Sequence, residues 1–128
     1  MAIRVLLADD AKVMRHLIRE LLEAQPELEV VGEAGDFAQT MRMVSDLKPR
    51  VVVMDLHMPS GIGTAPADIK SRLESCGSKL LAISIWNEEG SRDLARDFGA
   101  LQLLNKMELR ETLVPAILHL ALPEAEAL

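Results

Sequence analysis

Five polar residues are spaced so that each closes or follows an apolar run. Asp9 and Asp10 follow Ile3–Ala8, Asp55 follows Val51-Val52-Val53-Met54, Ser84 stands near the end of residues 79–85, and Lys106 follows residues 101–105. Three carboxylates brought close together repel, and the usual remedies are partial protonation or a bound hard cation. Magnesium suits such a set, because it takes oxygen ligands, keeps several waters and commonly uses one or two carboxylates plus a phosphate. A carboxylate at Asp55 could then act as nucleophile toward phosphorus, forming an acyl phosphate. Lys106 and Ser84 would supply a cation and a hydroxyl donor to the transferred oxygens, the positioning and charge neutralisation on which phosphoryl transfer depends.

Those residues meet only if the chain folds to bring them together, and the patterning says how. Ile3–Ala8 is a continuous apolar run, as expected of a strand buried on both faces of a parallel sheet. Met14, Leu17, Ile18, Leu21 and Leu22 recur at helical spacing, and Pro26 closes that helix. Residues 29–34 predict a second strand. Asp36 can cap a helix with Phe37, Met41, Val44 and Leu47 inward. After the third strand comes a turn-rich stretch with Gly61 and Gly63, then a helix over 67–76, a fourth strand over 79–85, and a helix over 88–98 capped by Asn87 and stopped by Gly99. A fifth strand over 101–105 precedes a last helix over 109–122, which Pro115 should kink because it lacks an N–H and crowds the preceding turn. Five strands alternating with five helices predict an α/β fold, a doubly wound parallel sheet with helices on both faces. In such sheets function gathers at the carboxyl ends of the strands, where Asp9, Asp10, Asp55, Ser84 and Lys106 all fall.

Composition narrows the class. A length of 128 residues fits one domain, expected over 1–122 with a short tail or linker start at 123–128. The net charge of −6 disfavours direct nucleic-acid contact, which needs a basic patch. Cys76 is the one cysteine, so no internal disulfide forms, and no apolar run approaches the roughly 20 residues that span a bilayer. No secretory signal is evident at the start. A cytoplasmic location and no membrane contact are expected.

The residues and their order resemble the receiver domains of two-component response regulators, over nearly the whole chain. The opening Ile3-Arg4-Val5-Leu6-Leu7-Ala8-Asp9-Asp10 is similar to the family's first strand and acidic pair. Asp55-Leu56-His57-Met58-Pro59-Ser60-Gly61-Ile62-Gly63 matches its phosphoacceptor aspartate, Met-Pro, and a glycine four residues after the proline. Ser84 stands for its hydroxyl residue, and Gly99-Ala100 followed by Lys106 resembles its fifth-strand signature. The resemblance implies a flavodoxin-like strand order 2-1-3-4-5. It also implies magnesium held by Asp10, Asp55 and the main-chain carbonyl of His57, with Asp9 acting mostly through water, and phosphoryl oxygens held by Ser84 and Lys106. The implied donors are a histidine kinase or histidine phosphotransfer protein, with small acyl phosphates as substitutes, so that the domain catalyses its own phosphorylation and dephosphorylation. Implied outputs are a homodimer or a downstream output domain. Leu56-His57-Met58-Pro59 is similar to receivers of DNA-binding regulators of the NarL/FixJ type, and the chain is either a complete single-domain regulator or a piece of a longer one.

Three departures bear on behaviour. Leu103 stands where the family usually has an inward-turning Phe or Tyr. Met107 follows Lys106 where the family has proline after a cis peptide; cis before a non-proline costs about 2.5–4 kcal/mol, so trans or a rearranged loop is expected. Trp86, two residues past Ser84, is expected either to shield the acyl phosphate or to contact a partner.

Each signal has a plainer reading. An acidic pair after a strand is often a solvated turn, a lone Asp at a strand end is usually a helix cap, and a lone Ser can simply bond a carbonyl. Glu88-Glu89 favours a helix amino terminus, His57 is expected to face solvent, and Cys76 is expected to be buried. The helix over 88–98, with only Leu94, Ala95 and Phe98 inward, is expected to be loosely held and to report the switch. The competing functions are a receiver-like interaction module that no longer undergoes phosphorylation, suggested by Leu103 and Met107, and an aspartyl-nucleophile phosphatase of the haloacid dehalogenase class. The second needs Asp-x-Asp after the first strand, whereas here the acids are adjacent. A flavin module would need phosphate-cradling chemistry where Asp9 and Asp10 would repel it.

Overall fold

The computed structural model describes residues 2–59, 65–85 and 89–122 of the chain, with the side chain of Glu89 excepted. Gly61, Gly63, Trp86, Asn87, Glu88 and the tail at 123–128, on which several expectations rest, lie outside the described residues.

Five parallel strands make one sheet: β1 (Ile3–Ala8), β2 (Leu28–Ala34), β3 (Val51–Asp55), β4 (Lys79–Ser84) and β5 (Ala100–Asn105), in the order β2-β1-β3-β4-β5. They alternate with α1 (Lys12–Glu23), α2 (Phe37–Leu47), α3 (Pro66–Ser75), α4 (Glu89–Asp97) and α5 (Leu109–Leu120), the last preceded by a 3-10 turn at Lys106–Glu108. This is the expected flavodoxin-like arrangement. The central strands read as largely apolar runs because successive side chains enter different cores. Val5, Leu7, Val51, Val53, Leu81 and Ile83 pack with Ile18 and Leu22 of α1 and Leu113 and Ile117 of α5. Leu6, Ala8, Val52, Met54, Leu80 and Ala82 pack on the other face with Val44 of α2, Ile69 and Leu73 of α3, and Ala95 of α4. Each fully buried side chain of this size contributes roughly 1.5–3 kcal/mol, so a one-residue slip of a central strand would disrupt both cores at once.

Element ends differ from the sequence reading by one to three residues. α1 stops at Glu23, before Pro26 is reached, and β2 starts at Leu28, whose side chain is buried. Pro66 occupies the first turn of α3, where its missing N–H costs nothing. β4 ends at Ser84, β5 begins at Ala100 and α5 ends at Leu120. Asp36 caps α2 as expected, its side chain accepting from Gln39 N at 2.7 Å. The inward face of α2 carries Phe37, Thr40 and Val44, while Met41 and Leu47 are only half-buried. Thr40 can be buried because its Oγ1 donates to Asp36 O at 2.7 Å. α5 runs uninterrupted through Pro115, which lies on its exposed side with Glu111, where water can serve the carbonyl left without an N–H partner. Cys76 is half-buried at the carboxyl end of α3, not fully buried. In α4, Ser91 and Ala95 are buried, Leu94 is half-buried, and Phe98 anchors the exit.

Gly99 turns the chain from α4 into β5 with φ of 82°, and a Cβ there would sit 2.7 Å from Lys70 Cγ on α3. Gly77, with φ of 71°, has nothing within 4 Å of the corresponding position. Gly77→Ala is expected to lose about 1 kcal/mol for the left-handed conformation alone. Gly99→Ala should lose measurably more in urea unfolding, and equal losses would mean that Lys70 moves aside freely.

Candidate functional site

Parallel pairing places the ends of β1 and β3 side by side, with Ala8 opposite Met54, so Asp9 and Asp55 emerge together at the carboxyl edge where the strand order reverses. Carboxylate oxygens of Asp9, Asp10 and Asp55 lie within 4.8 Å of one another. Asp9 and Asp55 are buried and Asp10 is exposed. Lys106, carried from the end of β5 into the 3-10 turn, reaches across β4: its Nζ lies 2.7 Å from Asp9 Oδ2 and 3.2 Å from Asp55 Oδ2. The second oxygens of both acids tie down their own loops. Asp9 Oδ1 accepts from Ala11 N at 2.8 Å, and Asp55 Oδ1 accepts from His57 N at 3.1 Å.

Burial is the largest influence on Asp55 and pushes its pKa up; the His57 N–H and the Lys106 ammonium pull it down, and the charge of Asp9 pushes it up again, for a net rise. For Lys106, burial opposes the charged form, yet contact with Asp9 and Asp55 outweighs it and holds the ammonium above the ordinary lysine value. The pocket therefore contains a fixed cation beside carboxylates that have not been neutralised by it. Asp9 Oδ2, although 2.7 Å from the ammonium, accepts no well-directed hydrogen bond. A buried carboxylate oxygen left in that state, with two further carboxylates alongside, fits a hard divalent cation.

Ser84 is buried at the carboxyl end of β4, between the strands that deliver Asp55 and Lys106, and pairs in register with Asn105. The side chain of His57 is exposed, as expected, and its main chain lies two residues past Asp55. Leu103 is half-buried against the α2–α4 face of the sheet and offers no ring there. No cis peptide occurs among the described residues, so Lys106–Met107 is trans as expected, and Met107 N donates to Asn105 Oδ1 at 2.8 Å. That bond, unavailable to a proline, starts the 3-10 turn that presents Lys106.

Two groups escaped the sequence reading. Arg15 Nη1 donates to the carbonyl oxygen of Asp9 at 2.5 Å, and Arg15 and Arg19 both bind Glu33, through Nε at 3.2 and 2.7 Å. The hydrogen bond from Arg19 foremost, opposed by burial and helped by Arg15, holds Glu33 below the ordinary carboxylate range. The spacing of Arg15 and Arg19, four apart on one face of α1, was the available signal; their partner on β2 gave none. Asn105 was read only as a strand end.

The family model described as "Response regulator receiver domain" matches residues 5–118, nearly the whole chain. The chain is a response-regulator receiver domain. Among curated proteins, this receiver is 36% identical over 107 residues to protein-glutamate methylesterase/protein-glutamine glutaminase 3 of Myxococcus xanthus, covering 81% of the chain and 30% of that protein. A counterpart from Geobacter sulfurreducens is 35% identical over 106 residues, covering 81% of the chain and 29% of its own length. The chain thus spans less than a third of the curated relatives it matches. Among solved structures, it is similar to the response regulator domain of Thermotoga maritima CheB, with a TM-score of 0.80, 25% identity and coverage of 94% of this chain and 97% of that one. It is also similar to the signal receiver domain of NarL from Mycobacterium tuberculosis, with a TM-score of 0.83, 27% identity and coverage of 94% and 96%. Receivers of this family bind magnesium in an acidic pocket and work with kinases and output domains. Among the described residues no helix is long and apolar enough to cross a membrane.

Burial leaves the Asp55 carboxyl with a raised pKa in the folded chain. The folded receiver binds that proton more tightly than the unfolded chain, so the ionised carboxylate weakens the fold once the pH has risen past it. Without divalent cations, Asp55→Asn should therefore melt a few degrees above the parent at neutral pH, with the gap narrowing as the solution is acidified. A variant that melts lower at pH 7 would show that Asp55 is a net structural support.

Proposed function

We propose that Asp55 is the phosphoacceptor of this receiver, taking a phosphoryl group from a histidine kinase or histidine phosphotransfer protein in the cytoplasm. The observation that carries the reading is the Lys106 ammonium set between Asp9 and Asp55 at the carboxyl edge of the sheet. Magnesium, held by Asp10, Asp55 and the carbonyl of His57 with Asp9 through water, would supply charge neutralisation for the phosphoryl oxygens.

Asp55 carries its own Oδ1 fixed by His57 N, which leaves Oδ2 as the attacking oxygen. Its electron pair forms the new O–P bond as the P–N bond of phosphohistidine breaks, and the imidazole nitrogen keeps the released pair and takes a proton. Lys106 is already within 3.2 Å of Oδ2, so its ammonium follows charge from carboxylate to phosphoryl oxygen without a large move. The Ser84 hydroxyl, at the end of the next strand, is the donor to a second phosphoryl oxygen. Partly buried surroundings strengthen both interactions. Hydrolysis of the acyl phosphate by water returns the carboxylate, and the domain thereby catalyses its own reset.

Movement of Ser84 toward a phosphoryl oxygen would pull on the β4 end and the start of α4, and so reshape the α4–β5–α5 surface for a second copy or an output domain. Leu103 offers no ring to follow Ser84 inward, and this favours the second reading, an interaction module that works without phosphorylation.

Intact mass after incubation with magnesium and acetyl phosphate separates the readings. A phosphoryl adduct on the parent, absent from Asp55→Asn and lost or slowed at least about 10²-fold in Lys106→Met, is expected. No adduct from acetyl phosphate or from phosphorylated histidine kinases would sink the phosphoacceptor reading and leave the interaction module. Magnesium should also stabilise the parent by RT ln(1 + [Mg]/Kd) and so raise its melting temperature, and Asp10→Asn should lose most of that rise.

A further inference from the structure

Arg15 touches none of the groups that would contact a phosphoryl oxygen, yet its side chain ends on the loop that carries the acids. Nη1 donates to the main-chain oxygen of Asp9 at 2.5 Å, while Nε is held 3.2 Å from Glu33 Oε1 at the end of β2. Glu33 is itself held by Arg19 Nε at 2.7 Å, and Arg19 Nη1 reaches Glu23 Oε1 at 3.1 Å. The Arg15 side chain is only 19% exposed, so this is a seated group and not a surface tether.

Asp9 itself is well held, its N–H donating to Ala34 O at 3.0 Å and its Oδ2 lying 2.7 Å from Lys106 Nζ, but the chain just beyond it is less so. α1 opens on Ala11, which offers no capping side chain, and its first turn carries no acid. Asp9 Oδ1 secures the loop from inside through Ala11 N. The Asp9 carbonyl, gripped by Arg15 from outside, belongs to the peptide plane that joins Asp9 to Asp10. Fixing that plane sets the direction in which the Asp10 side chain leaves the backbone. Asp10 needs such help, since it is the exposed member of the three-carboxylate cluster and its carboxylate makes no hydrogen bond or ion pair among the described residues.

We infer that Arg15 is a positioning residue for the divalent cation, setting the affinity of the Asp9–Asp10–Asp55 cluster by fixing the Asp9–Asp10 peptide. The inference rests on the metal-dependent reading proposed above. Its sign distinguishes it from plain electrostatics. A guanidinium near the cluster repels a cation, so by charge alone its removal would tighten magnesium binding. Loss of an outer support that orients a ligand loosens binding instead, commonly by 10-fold or more.

Calorimetric titration with magnesium chloride, run on the full chain beside thermal unfolding without magnesium, tests the inference. Arg15→Met is expected to weaken binding about 10-fold. At magnesium concentrations that saturate each variant, its rate of phosphorylation by acetyl phosphate should match that of the parent. Arg15→Lys keeps the charge but cannot serve both partners from one planar fork, so it should fall between Met and the parent. This variant also decides the matter if Arg15→Met fails to fold, because charge alone predicts no change for Lys. Unchanged or tighter binding in either variant would overturn the inference. A parent that binds no magnesium, or binds it as well after Asp10→Asn, would overturn the metal-dependent reading and the inference with it.

Discussion

One ammonium placed between two buried carboxylates is the constraint around which this receiver is organised. Lys106 draws Asp9 and Asp55 together from strands that are not its neighbours, and it must cross β4 to do so. Removing the ammonium would leave both buried carboxylates uncompensated, and the contact requires β1, β3 and β5 to end at one level. The parallel register of the sheet achieves that, and the 3-10 turn started by Asn105 swings the lysine back toward the acids.

Attraction within the site is deliberately incomplete in a physical sense: three carboxylates face one ammonium. Burial and the Asp9 charge raise the pKa of Asp55, while Asp9 Oδ2 lacks a well-directed donor. A fold that retains such a cost keeps a cluster of carboxylates whose charge suits a hard divalent cation. The two cores on either side of the sheet supply the stability against which the cost is set, and they hold the strand ends rigid enough for the chemistry.

Much of this was legible in the chain itself. Asp9, Asp10, Asp55 and Lys106 could be found because each follows a largely apolar run, the pattern expected of strands in a parallel sheet covered by helices. Asp36 and Gly99 announced a cap and a stop through local chemistry, and both act as expected. Thr40 was missed because its burial depends on a bond to its own helix's first carbonyl, and a threonine in a helix gives no outward sign of making it. Asn105 was missed for a similar reason, since its side chain turns back on a backbone N–H that a proline would have lacked.

By itself the amino-acid sequence determined the α/β class, the order of strands and helices, and which polar side chains stand at strand ends, because periodicity, caps and breakers are local. The tertiary structure alone decided that Lys106 contacts Asp9 more closely than Asp55, that Asp10 is the exposed acid, and that Arg15 holds the Asp9 carbonyl while Glu33 holds Arg15. Those facts depend on distances between segments remote in the chain, fixed by register and packing, for which no local pattern of residues carries a record.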